Sequence, residues 1–178
     1  MVGLFWIDDD GCWLGAPADE FGTGMLLTDH GVATVGSLGA SPQSGSSAEE
    51  AGRCDRAWSW QEVDRVTVLG VPSGPALRRS LSTAVSVAAT MLGFGGPEAA
   101  PRMTVSLRQD GQECACEVSS ASPAYTEREV RLSHAVLDRI TAGDLLPSDL
   151  VHWWGSADHP DTPKPAAREA LLEQWAAG

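Results

Sequence analysis

Trp58-Ser59-Trp60-Gln61-Glu62-Val63-Asp64-Arg65-Val66-Thr67-Val68-Leu69-Gly70-Val71-Pro72 is the stretch whose reading decides the fold. In an extended chain the side chains alternate with period two, so Trp58 and Trp60 are expected on one face. Beyond the polar Gln61-Glu62 step, Val66 and Val68 share a face and are β-branched, which suits a pleated, half-buried surface. Pro72 has no backbone donor and marks the strand's end. The stretch reads as a strand turning from one sheet into another, Trp58 and Trp60 on the near side, Val66 and Val68 in the core. On this placement Trp60→Ala should cost roughly 3–5 kcal/mol, as large aromatic deletions in cores do.

Upstream, Leu4-Phe5-Trp6-Ile7 and Cys12-Trp13-Leu14 flank Asp8-Asp9-Asp10-Gly11, an Asp-Gly step between apolar runs that signals a hairpin. The three aspartates are expected to form a solvated turn, since no partner motif stands beside them. Gly24-Met25-Leu26-Leu27-Thr28 and Val32-Ala33-Thr34-Val35-Gly36 predict a second hairpin around Asp29-His30-Gly31, with His30 a turn residue. From Ser37 to Gly52 the chain is polar and small, with the single apolar Leu38, and the 37–55 stretch reads as a flexible loop within the domain.

Downstream, residues 76–96 read as an inserted helix and its stop. Leu77, Leu81, Val85, Ala88 and Leu92 recur at helical spacing, the opposite side is small and weakly polar, and Gly93-Phe94-Gly95-Gly96-Pro97 ends it. So thin a polar face points to burial on both sides or to contact with another chain. Arg102 to Leu107 and Cys114 to Val118 flank Asp110-Gly111 as a third hairpin. Cys114 and Cys116 share a strand face, where they act as small core hydrophobes; zinc would need further ligands in suitable geometry. Thr126-Glu127-Arg128-Glu129 is a capping box opening an amphipathic helix to about Ala142, with Gly143 as its stop and His134 at the rim of its apolar stripe. Residues 144–178 read as a tryptophan-rich helical tail: a short helix through Trp153 and Trp154 capped by Ser148 or Asp149, a Pro/Asp linker, and a last helix carrying Ala167, Leu171 and Trp175. Short helices are marginal alone in water, so these tryptophans need a surface to lie on, in this chain or on a partner.

The 178 residues suffice for one domain with appendages, and 43% hydrophobic content is that of a globular chain. A formal charge of −12 disfavours nucleic acid and anionic membrane as partners. Lys164 is the only lysine, and with abundant Ala and Gly this suggests a GC-rich bacterial genome. The start lacks a basic n-region, and four cysteines are few for a stapled secreted domain, so a cytoplasmic setting is expected. Enzyme templates fail: there is no G-x-G-x-x-G, P-loop, G-x-S-x-G or H-E-x-x-H. No cofactor and no metal is implied.

Three hairpins, the tryptophan strand and a closing helix amount to about seven strands in an α+β, capped-sheet architecture. Leu26-Leu27-Thr28-Asp29-His30-Gly31-Val32 followed by Trp58-Ser59-Trp60-Gln61-Glu62-Val63 resembles the "L-T-x-x-G" then "W-x-x-I/V" rhythm of bacterial pleckstrin-homology-like and GRAM-like domains. The resemblance spans the 1–143 domain and implies two bent antiparallel sheets plugged by a C-terminal helix, and a binding or scaffolding module instead of an enzyme. The inserted helix, the loop and the tail depart from the plain domain. Phosphoinositide binding does not carry over, because the first hairpin turn is Asp8-Asp9-Asp10 where a basic pocket would be needed. A second resemblance, to an actinobacterial protein family, brings no function with it.

The leading expectation is a non-catalytic module that binds a protein partner or itself through Leu81, Val85, Leu92, Phe94, Trp153, Trp154 and Trp175. The alternative is a small-ligand- or metal-binding protein or enzyme using Cys114 and Cys116 or the tail histidines His152 and His159.

Overall fold

The tryptophan stretch does cross between sheets, but it does so as two strands instead of one. In the computed structural model, which describes residues 1–18, 23–36, 57–73, 101–156 and 162–178, Ala57–Ser59 closes one sheet and Arg65–Leu69 opens the other. The break lies at Ser59-Trp60-Gln61-Glu62. Glu62 N donates to Ser59 O, Ser59 N donates to the Glu62 carboxylate, and Gln61 N donates to Ser59 Oγ. Only the Glu62-to-Ser59 arm is that of a capping box; the Ser59 hydroxyl takes Gln61 N instead of Glu62 N, and the result is a tight turn. Trp60 therefore leaves the strand. It is half-buried against the core, and its Nε1 donates to Thr28 O at 2.8 Å. Trp58, 5% exposed, is the tryptophan inside the core, so the large deletion cost expected at Trp60 belongs to Trp58.

The fold is α+β, with eight described strands. β1 (Phe5–Asp8), β2 (Gly11–Leu14), β3 (Gly24–Thr28), β4 (Gly31–Val35) and β5 (Ala57–Ser59) form an antiparallel five-stranded sheet in chain order. β6 (Arg65–Leu69), β7 (Arg102–Gln109) and β8 (Gln112–Ser119) form an antiparallel three-stranded sheet. The expected hairpins stand in register: Trp6 opposite Trp13, Leu26 opposite Ala33, Val105 opposite Cys116. Gly31 is obligatory for packing. A Cβ on Gly31 would lie 1.9 Å from Trp58 O, so β5 can pair with β4 only because that side chain is absent.

Three helices follow the strands: α1 (Glu127–Ala142), α2 (Pro147–Ser156) and α3 (Pro165–Ala177). The capping box opens α1 as the sequence predicts: Glu129 N donates to Thr126 Oγ1, and Thr126 N donates to Glu129 Oε2. The helix ends at Gly143 in the left-handed region, φ 78°. α1 buries Val136, Leu137 and Ile140 and closes the edge of β6, where His134 Nε2 accepts from Val68 N at 3.2 Å. Nδ1 of the same ring, 2.9 Å from Val130 O, must then carry the hydrogen. Ser133 Oγ accepts from Leu4 N, tying the start of the chain to the same helix.

The tail docks within its own chain. Leu150, Leu172 and Trp175 lie in the buried cluster that also holds Phe5, Leu14 and Val136. α3 has no side-chain N-cap, no acid in its first turn and no base in its last, so its own dipole is uncompensated. It is held by α1 instead. Arg168 Nε donates to Glu129 Oε1 at 2.6 Å, Arg128 pairs with Glu173, and Arg139 Nη1 donates to Trp175 O at 2.6 Å. Glu129, 0% exposed, is both the cap of α1 and the counter-ion of α3. The N-terminus of α2 is bonded from outside the helix: Ser148 N donates to Asp29 Oδ1 of the β3–β4 turn at 2.9 Å. Neither Ser148 nor Asp149 is the whole cap, although Asp149 Oδ2 accepts from Leu146 N at 3.2 Å.

Candidate functional site

Each sheet has an inner face in the core and an outer face turned from it. On the five-stranded sheet the inner rows are Ile7–Cys12–Leu27–Val32–Trp58 and Phe5–Leu14–Met25–Thr34. Between them, on the other side, one register row crosses all five strands: Trp6–Trp13–Leu26–Ala33–Ala57. The first four are half-buried and Ala57 is exposed. None of the five belongs to the buried core or to the partly buried shell packed against it. The next row toward the turns, Asp8, Gly11, Thr28, Gly31 and Ser59, is small and polar.

Side-chain cover on this face is uneven. Trp6 and Trp13 lie over β1 and β2, the Trp6 indole bonded to Asp8 of its own strand, and Gly31, Ala33 and Ala57 leave β4 and β5 with little side-chain cover. A depression of about 220 Å³ lies there, lined by Thr28, Gly31, Ala33, Ala57 and Ser59 together with His30. Trp6 Nε1 is satisfied by Asp8 Oδ2 at 2.8 Å. Trp13 Nε1 is shielded from water and has no hydrogen-bond partner among the described residues. Shielding such a donor costs about 1–3 kcal/mol, and a phenylalanine would fill the position without that cost.

The electrostatics of the face are one-sided. No lysine or arginine occurs before Arg53, and Asp8 is the only charged side chain in β1 to β5. Asp9, Asp10 and Asp29 stand at the two hairpin turns beside it. Asp8 itself is structural: its Oδ1 accepts from Asp10 N and Gly11 N and so shapes the first turn.

No family model, curated protein or solved structure matches this chain.

The residues singled out from sequence fall elsewhere. Leu81, Val85, Leu92 and Phe94 lie outside the described residues, as do the 37–55 loop and His159. Trp153, Trp154 and Trp175 come together in cis: Trp153 and Trp175 meet edge to face at a centroid distance of 5.2 Å, and Trp153 and Trp154 at 6.3 Å. Trp175 is only 8% exposed, so presenting it to a partner would require α3 to undock. Cys114 and Cys116 lie on the inner face of the three-stranded sheet, opposite Leu107 and Val105, and pack against the core. His152 is exposed on α2, beside a shallow groove of about 270 Å³ that it shares with Asp10, Asp29 and Val151. Among the described residues no three His, Cys, Asp or Glu side chains gather as a metal site would require. Burial, and then Asp8, pushes the Cys12 thiol well above its ordinary range, so it is no nucleophile. Burial likewise raises Tyr125, whose hydroxyl is bonded to Ser120 Oγ and Ser122 N and organises the loop before α1. Among the described residues no helix is long and apolar enough to cross a membrane.

The aromatic row itself was missed from sequence. The signal was present: a two-residue turn at Asp9-Asp10 places Trp6 opposite Trp13, and the run without lysine or arginine is visible by inspection.

Proposed function

We propose that this chain is a non-catalytic protein-interaction module that docks its partner on the outer face of the five-stranded sheet. The observation that carries the reading is the unbroken row Trp6–Trp13–Leu26–Ala33–Ala57, two indoles wide at one end and turned away from the core. Aromatic residues are enriched where proteins bind proteins, and charge is depleted at the centre of such patches. The pleckstrin-homology-like and GRAM-like architecture belongs to the same proposal; what supports it is two antiparallel sheets followed by one capped helix. So does a cytoplasmic setting, supported by the small number of cysteines. The apolar 76–96 segment, with Leu81, Val85, Leu92 and Phe94, is a second contact in this proposal on its helical periodicity alone.

A photoreactive amino acid placed at Ala33, and in a separate variant at Glu117 on the other sheet, tests the reading in cells of the native host. Covalent adducts to protein at Ala33 and none at Glu117 are expected. No adduct at Ala33, or equal adducts at both positions, removes the reading.

A further inference from the structure

We infer that the occupant of the tryptophan-bearing face is a cationic amphipathic helix of a partner protein, laid across the strands. The inference rests on reading that face as a docking surface and adds the chemistry of what docks. Charge argues first. A face whose only charged strand residue is Asp8, flanked by Asp9, Asp10 and Asp29 at the turns, attracts a basic rim and repels an acidic one. A second copy of this chain would bring the same aspartates and a charge of −12 against it. Anionic lipid and nucleic acid meet the same repulsion.

Size argues next. The row spans four interstrand spacings, roughly 19 Å at about 4.8 Å each. A helix covering that distance needs about 13 residues at 1.5 Å rise. Shape completes the case. A helix laid along the row has Trp6 and Trp13 beneath one end and the small Ala33 and Ala57 beneath the other. The depression beside Gly31 accepts one side chain from it. The apolar residues of such a helix, at i, i+3, i+4 and i+7, meet the row. Lysines or arginines along one flank then meet Asp9 and Asp10, both exposed.

The experiment uses the full chain and three fluorescently labelled helical peptides about 14 residues long. One carries Leu and Lys in amphipathic order, one Leu and Glu, one Ser and Lys. Fluorescence anisotropy should show binding of the Leu/Lys peptide only, weakening several-fold between low and physiological salt. Ala33→Arg should weaken it at least about tenfold, as a charge set in the centre of an interface does. Asp9→Asn with Asp10→Asn should weaken it a few-fold. Glu117→Arg on the other sheet should leave it unchanged. Circular dichroism checks that Ala33→Arg is folded, and if it is not, the Asp9/Asp10 pair of substitutions decides.

Equal binding of the Leu/Glu peptide, or of phosphatidylserine vesicles, overturns the inference. So does Leu/Lys binding that ignores both sets of substitutions. A concentration-dependent dimer abolished by Ala33→Arg would make a second copy the occupant instead. Adducts at Ala33 in cells without Leu/Lys binding sink the cationic helix and leave the docking face standing; failure of both removes both.

Discussion

The two sheets turn very different faces outward. Across the five-stranded sheet the outer row is two tryptophans, a leucine and two alanines. Across the three-stranded sheet the outer positions are Arg65, Arg108 and Glu113, then Thr67, Ser106 and Ala115, then Leu69, Thr104 and Glu117. Apart from Ser106, which is buried with its hydroxyl bonded to the Glu113 carboxylate, the second set is what a solvated antiparallel sheet ordinarily shows, and Arg102 pairs with Glu117 beside it. Leu69, 52% exposed, is a lone apolar residue of the kind that needs no explanation. The first set is a contiguous apolar row on a charged protein, four of its five members half-buried. The inner faces of both sheets are apolar, with Phe5 and Trp58 on the five-stranded one.

The largest effect that sharpens this contrast comes from inside the five-stranded sheet. Trp58→Ala should cost about 3–5 kcal/mol in denaturant unfolding, because Trp58 fills the core and a cavity remains. A loss under about 1 kcal/mol would mean that the inner and outer rows are not distinct in kind.

Next comes pH. Cys12 lies on the inner row, and its thiol is raised in the folded state by burial and then by Asp8. Below the unfolded value near 8.5 both states are protonated and the stabilisation is whole. Above it only the unfolded thiol ionises, and stability falls by about 1.4 kcal/mol per pH unit until the folded thiol titrates as well. Between pH 8 and pH 10 wild type should therefore lose about 2 kcal/mol more than Cys12→Ala. Equal losses would show that Cys12 reaches water.

A smaller effect is expected on the outer row. Trp13→Phe removes a shielded indole donor at the expense of some apolar area, so stability should stay within about 1 kcal/mol of wild type. A loss above about 3 kcal/mol would make the aromatic row part of the architecture, and the contrast between the faces would lose its functional meaning. The smallest effect belongs to the polar face. Arg102→Ala breaks an ion pair whose side chains are both 64% exposed and should cost about 0.5 kcal/mol or less.

Local signals in the sequence carried the hairpins and the first helix, because turn residues and a capping box act over a few positions. The division of the tryptophan stretch is also local, in the Ser59–Glu62 turn, but the alternation on either side of it masks the break. The docking of α3 was not legible. Its stripe was expected at Ala167, Leu171 and Trp175; Trp175 is buried, but its buried companion is Leu172, beside Gly3, and not Leu171. In an alanine-rich helix the rotation is set by what it lands on, here the Glu129–Arg168 pair, and residues some forty positions apart are invisible to any short window. The outer row escaped for a related reason. Each member is unremarkable within its own strand, and only the register across five strands makes them one surface.

The bond from Ser148 N to Asp29 joins residues 119 positions apart. During synthesis the β3–β4 turn must therefore wait for most of the polypeptide to emerge before its carboxylate meets the helix it caps. Leu4, bonded to Ser133, waits still longer in relative terms, over 129 positions. Assembly of the first sheet to its finished state is thus coupled to the last helices made, and inner residues such as Phe5 and Leu14, which share the buried cluster with Leu150 and Leu172, wait for their cover throughout that interval, when exposed apolar surface favours aggregation.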